Sequence, residues 1–211
     1  MTRRAGTALS GLLGALLAAC ASGGPAGDSA EQALFDGTSL GSWKPTEFGG
    51  EGKVRVEDGR IVVEAGVQLS GIHWAGAPLP RTNYELSLEA MKIEGNDIFC
   101  GIAFPVGDAC CSFVAGGWGG SVTGLSSVDG MNASENETGT YREYEKGRWY
   151  RFRLRVTPER ICVWIDGQPA VDLALKDRSI SIHPAMEISQ PLGLATYMTT
   201  SAFRNIRLRR L

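Results

Sequence analysis

Trp118 stands between two pairs of glycines, in the run Gly116-Gly117-Trp118-Gly119-Gly120. Glycine carries no Cβ, so backbone can approach a ligand closely there and leave the indole face open. An open aromatic face stacks on the apolar C–H face of a sugar ring, a contact worth on the order of a kcal/mol or more. Asp129, Asn132, Glu135, Asn136 and Glu137 follow within twenty residues. Carboxylates and amides at that density can bond sugar hydroxyls. They can also supply oxygen ligands to a divalent cation, Ca²⁺-like or Mn²⁺-like. Trp118, Gly119, Asn132, Asn136, Glu137 and Trp74 are therefore the substrate-binding candidates. Asp129, Glu135 and Asp97 are the candidates for a general base, with His73, beside Trp74, as the imidazole. His183 precedes Pro184 in a loop and receives no role. Ser126 and Ser127 lack a Gly-x-Ser-x-Gly setting, which argues against a serine-hydrolase triad. Neither histidine lies at zinc-ligand spacing from a cysteine pair. The plainer alternative is a solvated loop with Trp118 as a lid over the core.

Such residues need a scaffold, and the scaffold reads as all β. Asp58-Gly59 separates Val54–Glu57 from Arg60–Glu64, and Asp166-Gly167 separates Arg160–Ile165 from Ala170–Asp172. Asp-Gly between alternating runs marks a hairpin, because both central residues need φ > 0. Tyr84–Glu89 and Tyr150–Val156 alternate with period two, the latter placing Arg151, Arg153 and Arg155 on one face. That row is read as a solvated sheet face, with Glu85 and Glu89 as cross-strand partners, in preference to an anion-binding stripe. Ile98–Phe104 and Cys111–Ala115 flank a turn at Pro105-Val106-Gly107-Asp108, and Leu192–Thr199 and Phe203–Leu208 close the domain. The stretch from Gly116 to Thr138 has little apolar periodicity and reads as one long irregular segment, the kind that usually carries function. Many short strands in one domain predict a two-sheet antiparallel jelly-roll sandwich.

Arg3 and Arg4 precede an apolar run that ends in Leu17-Ala18-Ala19-Cys20. A basic start, an apolar stretch and small residues at a cut make a secretory signal. A cysteine just after the cut resembles a bacterial lipobox, in which the thiol is acylated. The run is shorter than the ~20 residues that span a bilayer. The expected layout is a lipoprotein signal over 1–19, lipidated Cys20 and a Gly/Ala/Ser tether over 20–32, and one domain over 33–211. This places the domain in the bacterial cell envelope, on the outer membrane or facing the periplasm, as a monomer held by its lipid. A net charge of −2 gives no reason to expect nucleic acid. Cys100, Cys110, Cys111 and Cys162 remain in a disulfide-permissive compartment, with three possible pairings between them.

Three motifs stand in order along the domain. Leu34-Phe35-Asp36-Gly37-Thr38-Ser39-Leu40 leads to Trp43, and Lys146-Gly147-Arg148-Trp149-Tyr150 leads through a strand to Ile161-Cys162-Val163-Trp164-Ile165-Asp166-Gly167. The chain closes on Phe203-Arg204-Asn205-Ile206-Arg207-Leu208-Arg209. This order resembles the 3-keto-disaccharide hydrolase domain family over roughly 33–211. The resemblance implies a concanavalin-like jelly roll with its first and last strands adjacent. It also implies cleavage of glycosides that carry a keto group at sugar carbon 3. That group acidifies the proton on carbon 2, so a base removes it, the aglycone leaves and water adds; a metal often stabilises the enolate. The sequence departs from the family's pattern in the middle of the domain. The family has Ser-Gly-Ile, an Arg and a Glu on the following strand, whereas Asp97–Phe104 and Cys111–Ala115 hold neither the Arg nor the Glu. The expected function is glycoside processing, and the alternative is a non-catalytic glycan-binding module on the same fold.

Overall fold

The computed structural model describes residues 31–211, so Cys20 and the expected signal and tether lie outside the described residues. Fifteen strands run in chain order: β1 (Gln32–Ala33), β2 (Trp43–Pro45), β3 (Val54–Glu57), β4 (Arg60–Val63), β5 (Leu69–Trp74), β6 (Tyr84–Glu94), β7 (Cys100–Val106), β8 (Ala109–Gly116), β9 (Val122–Ser126), β10 (Thr140–Tyr141), β11 (Trp149–Val156), β12 (Arg160–Ile165), β13 (Gln168–Ala174), β14 (Gly193–Tyr197) and β15 (Thr200–Arg210). They form two antiparallel sheets. The first has the order β13-β12-β11-β6-β15-β4-β3, and β1 pairs with β15, with Gln32 opposite Leu208. The second has the order β10-β9-β8-β7-β14-β5-β2. This is the expected jelly-roll sandwich, with its first and last strands side by side.

Both Asp-Gly turns form as the sequence predicts. Asp58 and Gly59 have φ of 48° and 73°, and Asp166 and Gly167 have 53° and 79°. The turn between β7 and β8 is tighter than expected. Pro105 and Val106 stay in the ladder, opposite Cys110 and Ala109, so only Gly107 and Asp108 make the turn.

Period two sets which side chains meet between the sheets. Tyr150, Phe152, Leu154 and Val156 point inward from β11, while Arg151, Arg153 and Arg155 point outward. Phe152 meets Phe99, just before β7, and Phe113 of β8, with ring centroids 6.0 and 6.1 Å apart. Edge-to-face and tilted contacts of this kind add to the burial of the rings themselves. Two of the outward arginines face the expected partners across the β11–β6 ladder, Arg151 opposite Glu89 and Arg155 opposite Glu85, while Arg153 stands opposite Ser87 and lies 3.6 Å from Glu85.

Cys100 and Cys111 face the core, and Cys110 faces outward but is covered; all three are free thiols, so none of the pairings among them forms. Burial pushes the Cys111 thiol up to about 12 and that of Cys100 further.

Candidate functional site

The central strands of the second sheet are buried on both faces. Every residue of β7 is buried, although alternate ones point away from the core. Two elements cover its outer face. One is a 3-10 helix over Pro184–Ser189, and the other is the loop from Ser127 to Gly139.

Register explains how they fit. One outward row reads Gly71, Ala195, Gly101, Val114 and Gly124 across β5, β14, β7, β8 and β9. The next reads His73, Gly193, Ala103, Ser112 and Ser126 across the same strands. Nearly every member is Gly, Ala or Ser. Met186 of the 3-10 helix packs on Ala103 and Ala195. A Cβ on Gly193 would sit 2.5 Å from that of Ser189, so only glycine admits the helix this closely. On the other flank Ala133 packs against Val114 and Val122. Beside the 3-10 helix the row of small residues leaves a cavity of about 340 Å³, which the loop from Ser127 to Gly139 does not line. Its lining includes Asp97, Ile98, Val114, Trp118, His183 and Met186, over a floor of Gly101 and Ala195. The volume suits a small ligand.

Trp118 stands at this cavity with 48% of its surface exposed. It occupies the left-handed region, φ 50° and ψ 52°, in the turn Gly117–Gly120. Asp97 and Asn96 fix the turn. The Gly119 N–H donates to Asp97 Oδ2 at 3.0 Å, and Asn96 Nδ2 donates to the Gly119 carbonyl at 3.0 Å. Asp97 Oδ1 accepts the Ile98 N–H at 2.8 Å, and its own N–H donates to Thr199 Oγ1. Of the three candidate bases, only Asp97 lines the cavity.

The other two carboxylates are engaged elsewhere. Asp129 accepts the Ser179 N–H at 2.8 Å and Arg178 Nη1 at 2.6 Å. The Ser179 N–H first, and then Arg178, hold its carboxyl below the ordinary value of 3.8. Glu137 binds the same Arg178. Glu135 accepts the Asn132 N–H at 3.0 Å, closing a turn. Asn136 Nδ2 donates to the carbonyls of Leu125, Met131 and Asn132, and its Oδ1 accepts from the Thr138 N–H and hydroxyl. Asn132, Asn136 and Glu137 thus shape the loop, and none of the three lines the cavity. The segment is also less irregular than its composition predicts, since it contains all of β9. Asx-type side chains bond neighbouring backbone and compete with ladder signals, which is why the sequence pattern hides this order.

The expected oxygen cage for a divalent cation does not form from these residues. Their oxygens already hold Arg178 and backbone N–H groups. Among the described residues no cluster of three or more His, Cys, Asp or Glu is placed to hold a metal.

His73 points outward from β5, where Thr46 Oγ1 lies 3.0 Å from its Nδ1; it does not line the cavity. Its neighbour Trp74 points the other way. Trp74 is 8% exposed, packs edge-on against Trp43 at 5.4 Å and donates its indole N–H to the Ala77 carbonyl. That makes Trp74 a core residue with no face to offer a sugar.

His183 is the site residue the sequence reading passes over. It caps the 3-10 helix, its Nδ1 accepting the Ala185 N–H at 3.3 Å, and it lines the cavity opposite Asp97's turn. The signal for it was present: Pro184 directly after His183 suits the first position of a helix. What no spacing could supply was the place where that helix lands.

Comparison with known structures agrees with the architecture. A protein of unknown function with galectin-like fold from Bacillus subtilis superposes with a TM-score of 0.59 at 10% identity, covering 86% of this chain and 94% of its own. A non-specific endo-beta-1,3(4)-glucanase from family GH16 gives 0.55 at 10%, covering 82% and 86%. The carbohydrate binding module CBM66 from Bacillus subtilis gives 0.52 at 9%, covering 80% and 95%. Identities this low speak for the fold alone. No curated protein sequence matches the chain. A family model matches residues 30–209, almost the whole of the described chain, and on that match the protein belongs to the 3-keto-alpha-glucoside-1,2-lyase-like domain family.

Proposed function

We propose that the protein is a lipid-anchored envelope domain that takes a saccharide into the cavity on the outer face of its second sheet and processes it as a 3-keto-glycoside. One observation carries the reading: a half-exposed tryptophan is held in a left-handed turn at the mouth of a small-residue cavity, by a carboxylate that lines the same cavity. The indole supplies the stacking face. Asp97 supplies the base, since each of its oxygens keeps a second acceptor site beside the N–H it already holds. With its Nδ1 occupied as an acceptor, His183 offers its Nε2–H as a hydrogen-bond donor to the departing oxygen.

In this scheme the keto group at carbon 3 acidifies the hydrogen on carbon 2. Asp97 takes that proton, the C2–H electron pair forms the C1–C2 double bond, and the C1–O bond breaks. The His183 N–H stabilises the departing oxygen, which takes a proton from water; the hydroxide adds at carbon 1 and Asp97 returns its proton to carbon 2.

A second reading, a non-catalytic glycan-binding module, is favoured by the engagement of both Asp97 oxygens with backbone N–H groups. One experiment separates the two. The protein is incubated with 3-keto-glucosides, with and without divalent metal, and tested in parallel for glycan binding. Turnover that is lost in Asp97→Asn and His183→Ala supports the enzyme. Binding without turnover, lost in Trp118→Ala, supports the module. Absence of both overturns the site.

A further inference from the structure

The outer face of the first sheet carries a repeated pattern that the proposed function does not use. Register sets three rows of side chains across β15, β6 and β11. One row is Arg209, Glu85 and Arg155, and another is Arg204, Glu89 and Arg151. In each, a carboxylate stands between two guanidinium groups. Glu85 Oε2 accepts Arg155 Nε and Nη2 at 3.0 and 2.9 Å, and its Oε1 accepts Arg209 at 3.1 Å. Glu89 accepts Arg204 Nε at 2.7 Å and lies 3.5 Å from Arg151. The row between them is Arg207, Ser87 and Arg153. It has both arginines and no acid.

The vacancy coincides with an open groove of about 470 Å³, lined by Ser87, Arg151, Arg153, Trp164, Asn205 and Arg207, with Glu89 at its edge. A bulge builds one side of it. Between Glu89 and Ser87 the β15 strand carries an extra residue, and Asn205, at φ 53°, is turned out beside Arg204. The other side is stiffened by stacking, since the Arg153 guanidinium lies 4.0 Å from the centre of the Trp164 ring. Neither middle arginine is unpaired: Arg153 lies 3.6 Å from Glu85, and Arg207 reaches Glu31 at 3.1 Å. Yet among the described residues six arginines here share Glu31, Glu85 and Glu89. The face keeps a positive surplus, concentrated on the row that lacks its acid.

We propose that this groove binds the carboxylate of an acidic saccharide, gripped between Arg153 and Arg207 above Ser87. The flanking rows show the preferred occupant, because the same geometry already holds a carboxylate twice. Arginine forks match planar carboxylates better than lysine does. The groove is larger than a carboxylate alone, and the Ser87 hydroxyl and Asn205 amide offer partners to the hydroxyls of the ring that carries it. The site lies on the opposite sheet from the Trp118 cavity and stands independently of it.

The test is calorimetric titration of the full chain with trigalacturonate, its neutral counterpart galactotriose, acetate and inorganic phosphate. Trigalacturonate binds, galactotriose does not, and acetate and phosphate bind at least tenfold more weakly. Arg153→Ala and Arg207→Ala each weaken trigalacturonate at least tenfold. Ser87→Glu supplies the missing acid from the protein itself. It abolishes binding and raises Tm by about 2–4 °C, as a gain in pairing does in a domain of this size. Absence of trigalacturonate binding overturns the proposal. So does phosphate binding as tightly, which marks an indiscriminate cationic patch, or binding that survives in Ser87→Glu.

Discussion

Replacing Trp118 by alanine and, separately, by glycine tests the site and its backbone together. A tryptophan side chain offers about 150–250 Å² for burial. Trp118 leaves 48% exposed, so roughly 100 Å² remains for a sugar to cover. At about 25 cal/mol per Å² that is about 2.5 kcal/mol at most, and ordering the ligand takes back a part. Both variants should therefore bind saccharide about 10- to 60-fold more weakly, measured by calorimetry with whichever glycan the native protein binds best. Their stabilities should differ. Position 118 has φ 50°, which costs a residue with a Cβ about 1 kcal/mol and glycine almost nothing. Trp118→Gly should thus melt about 2–4 °C above Trp118→Ala, by differential scanning calorimetry. Affinity unchanged within twofold in both variants would refute the stacking role. Equal melting temperatures would show that the turn relaxes out of the left-handed region once the indole is gone, and that Asp97 and Asn96 do not fix it.

Asp97→Asn should lower kcat on a 3-keto-glucoside by about 10²–10⁴ with a smaller change in KM, the signature of a lost base rather than of lost binding. Glu85→Ala strands three guanidinium groups on a face where Glu85 is 10% exposed, and should cost about 1–3 kcal/mol by urea unfolding; a loss below 0.5 kcal/mol would mean the network is dispensable. The N–H groups of Ser39 and Thr38 hold the Asp36 carboxyl at about 2, so its folded value is depressed and its stabilisation is complete above the ordinary 3.8 and lost as pH falls through 2. The Tm curves of the native protein and Asp36→Asn should accordingly separate above pH 4 and converge near pH 2. Cys100 and Cys111, pushed up by burial, should resist iodoacetamide at pH 8 until the chain is unfolded, as mass spectrometry would show.

What the sequence discloses here is what depends on near neighbours. Asp58-Gly59 and Asp166-Gly167 announce their hairpins because the requirement for positive φ is local. Arg151, Arg153 and Arg155 announce an outward face because period two is local, and Glu85 and Glu89 then answer them. The isolation of Trp118 among glycines is visible for the same reason. The cavity is not visible, because its floor is made of Gly101 and Ala195, residues whose contribution is the bulk they lack. His183 comes to it only through the landing place of a 3-10 helix some seventy residues beyond β8. Asp129, Glu135, Asn136 and Glu137 have the composition of a ligand cage, but their partners are Arg178 and the backbone of their own loop. Composition cannot distinguish oxygens that wait for a ligand from oxygens already satisfied. His73 and Trp74 show a related limit: adjacent strand residues face opposite ways, and only the assembled sandwich decides which is inside.

The pairing of β1 with β15 brings Gln32 opposite Leu208 and Ala33 opposite Arg207. The first and last strands of the sandwich are therefore neighbours on one sheet, joined by a ladder rather than by a covalent link. A domain closed this way is modular: a host protein can admit it at a single surface loop, its two junctions a strand-width apart, without stretching either partner. The same closure makes circular permutation feasible, with a short linker from 211 to 31 and new ends opened at the exposed Gly107-Asp108 turn. The sandwich would then keep every strand pair it has now, and its order of synthesis would become a free variable.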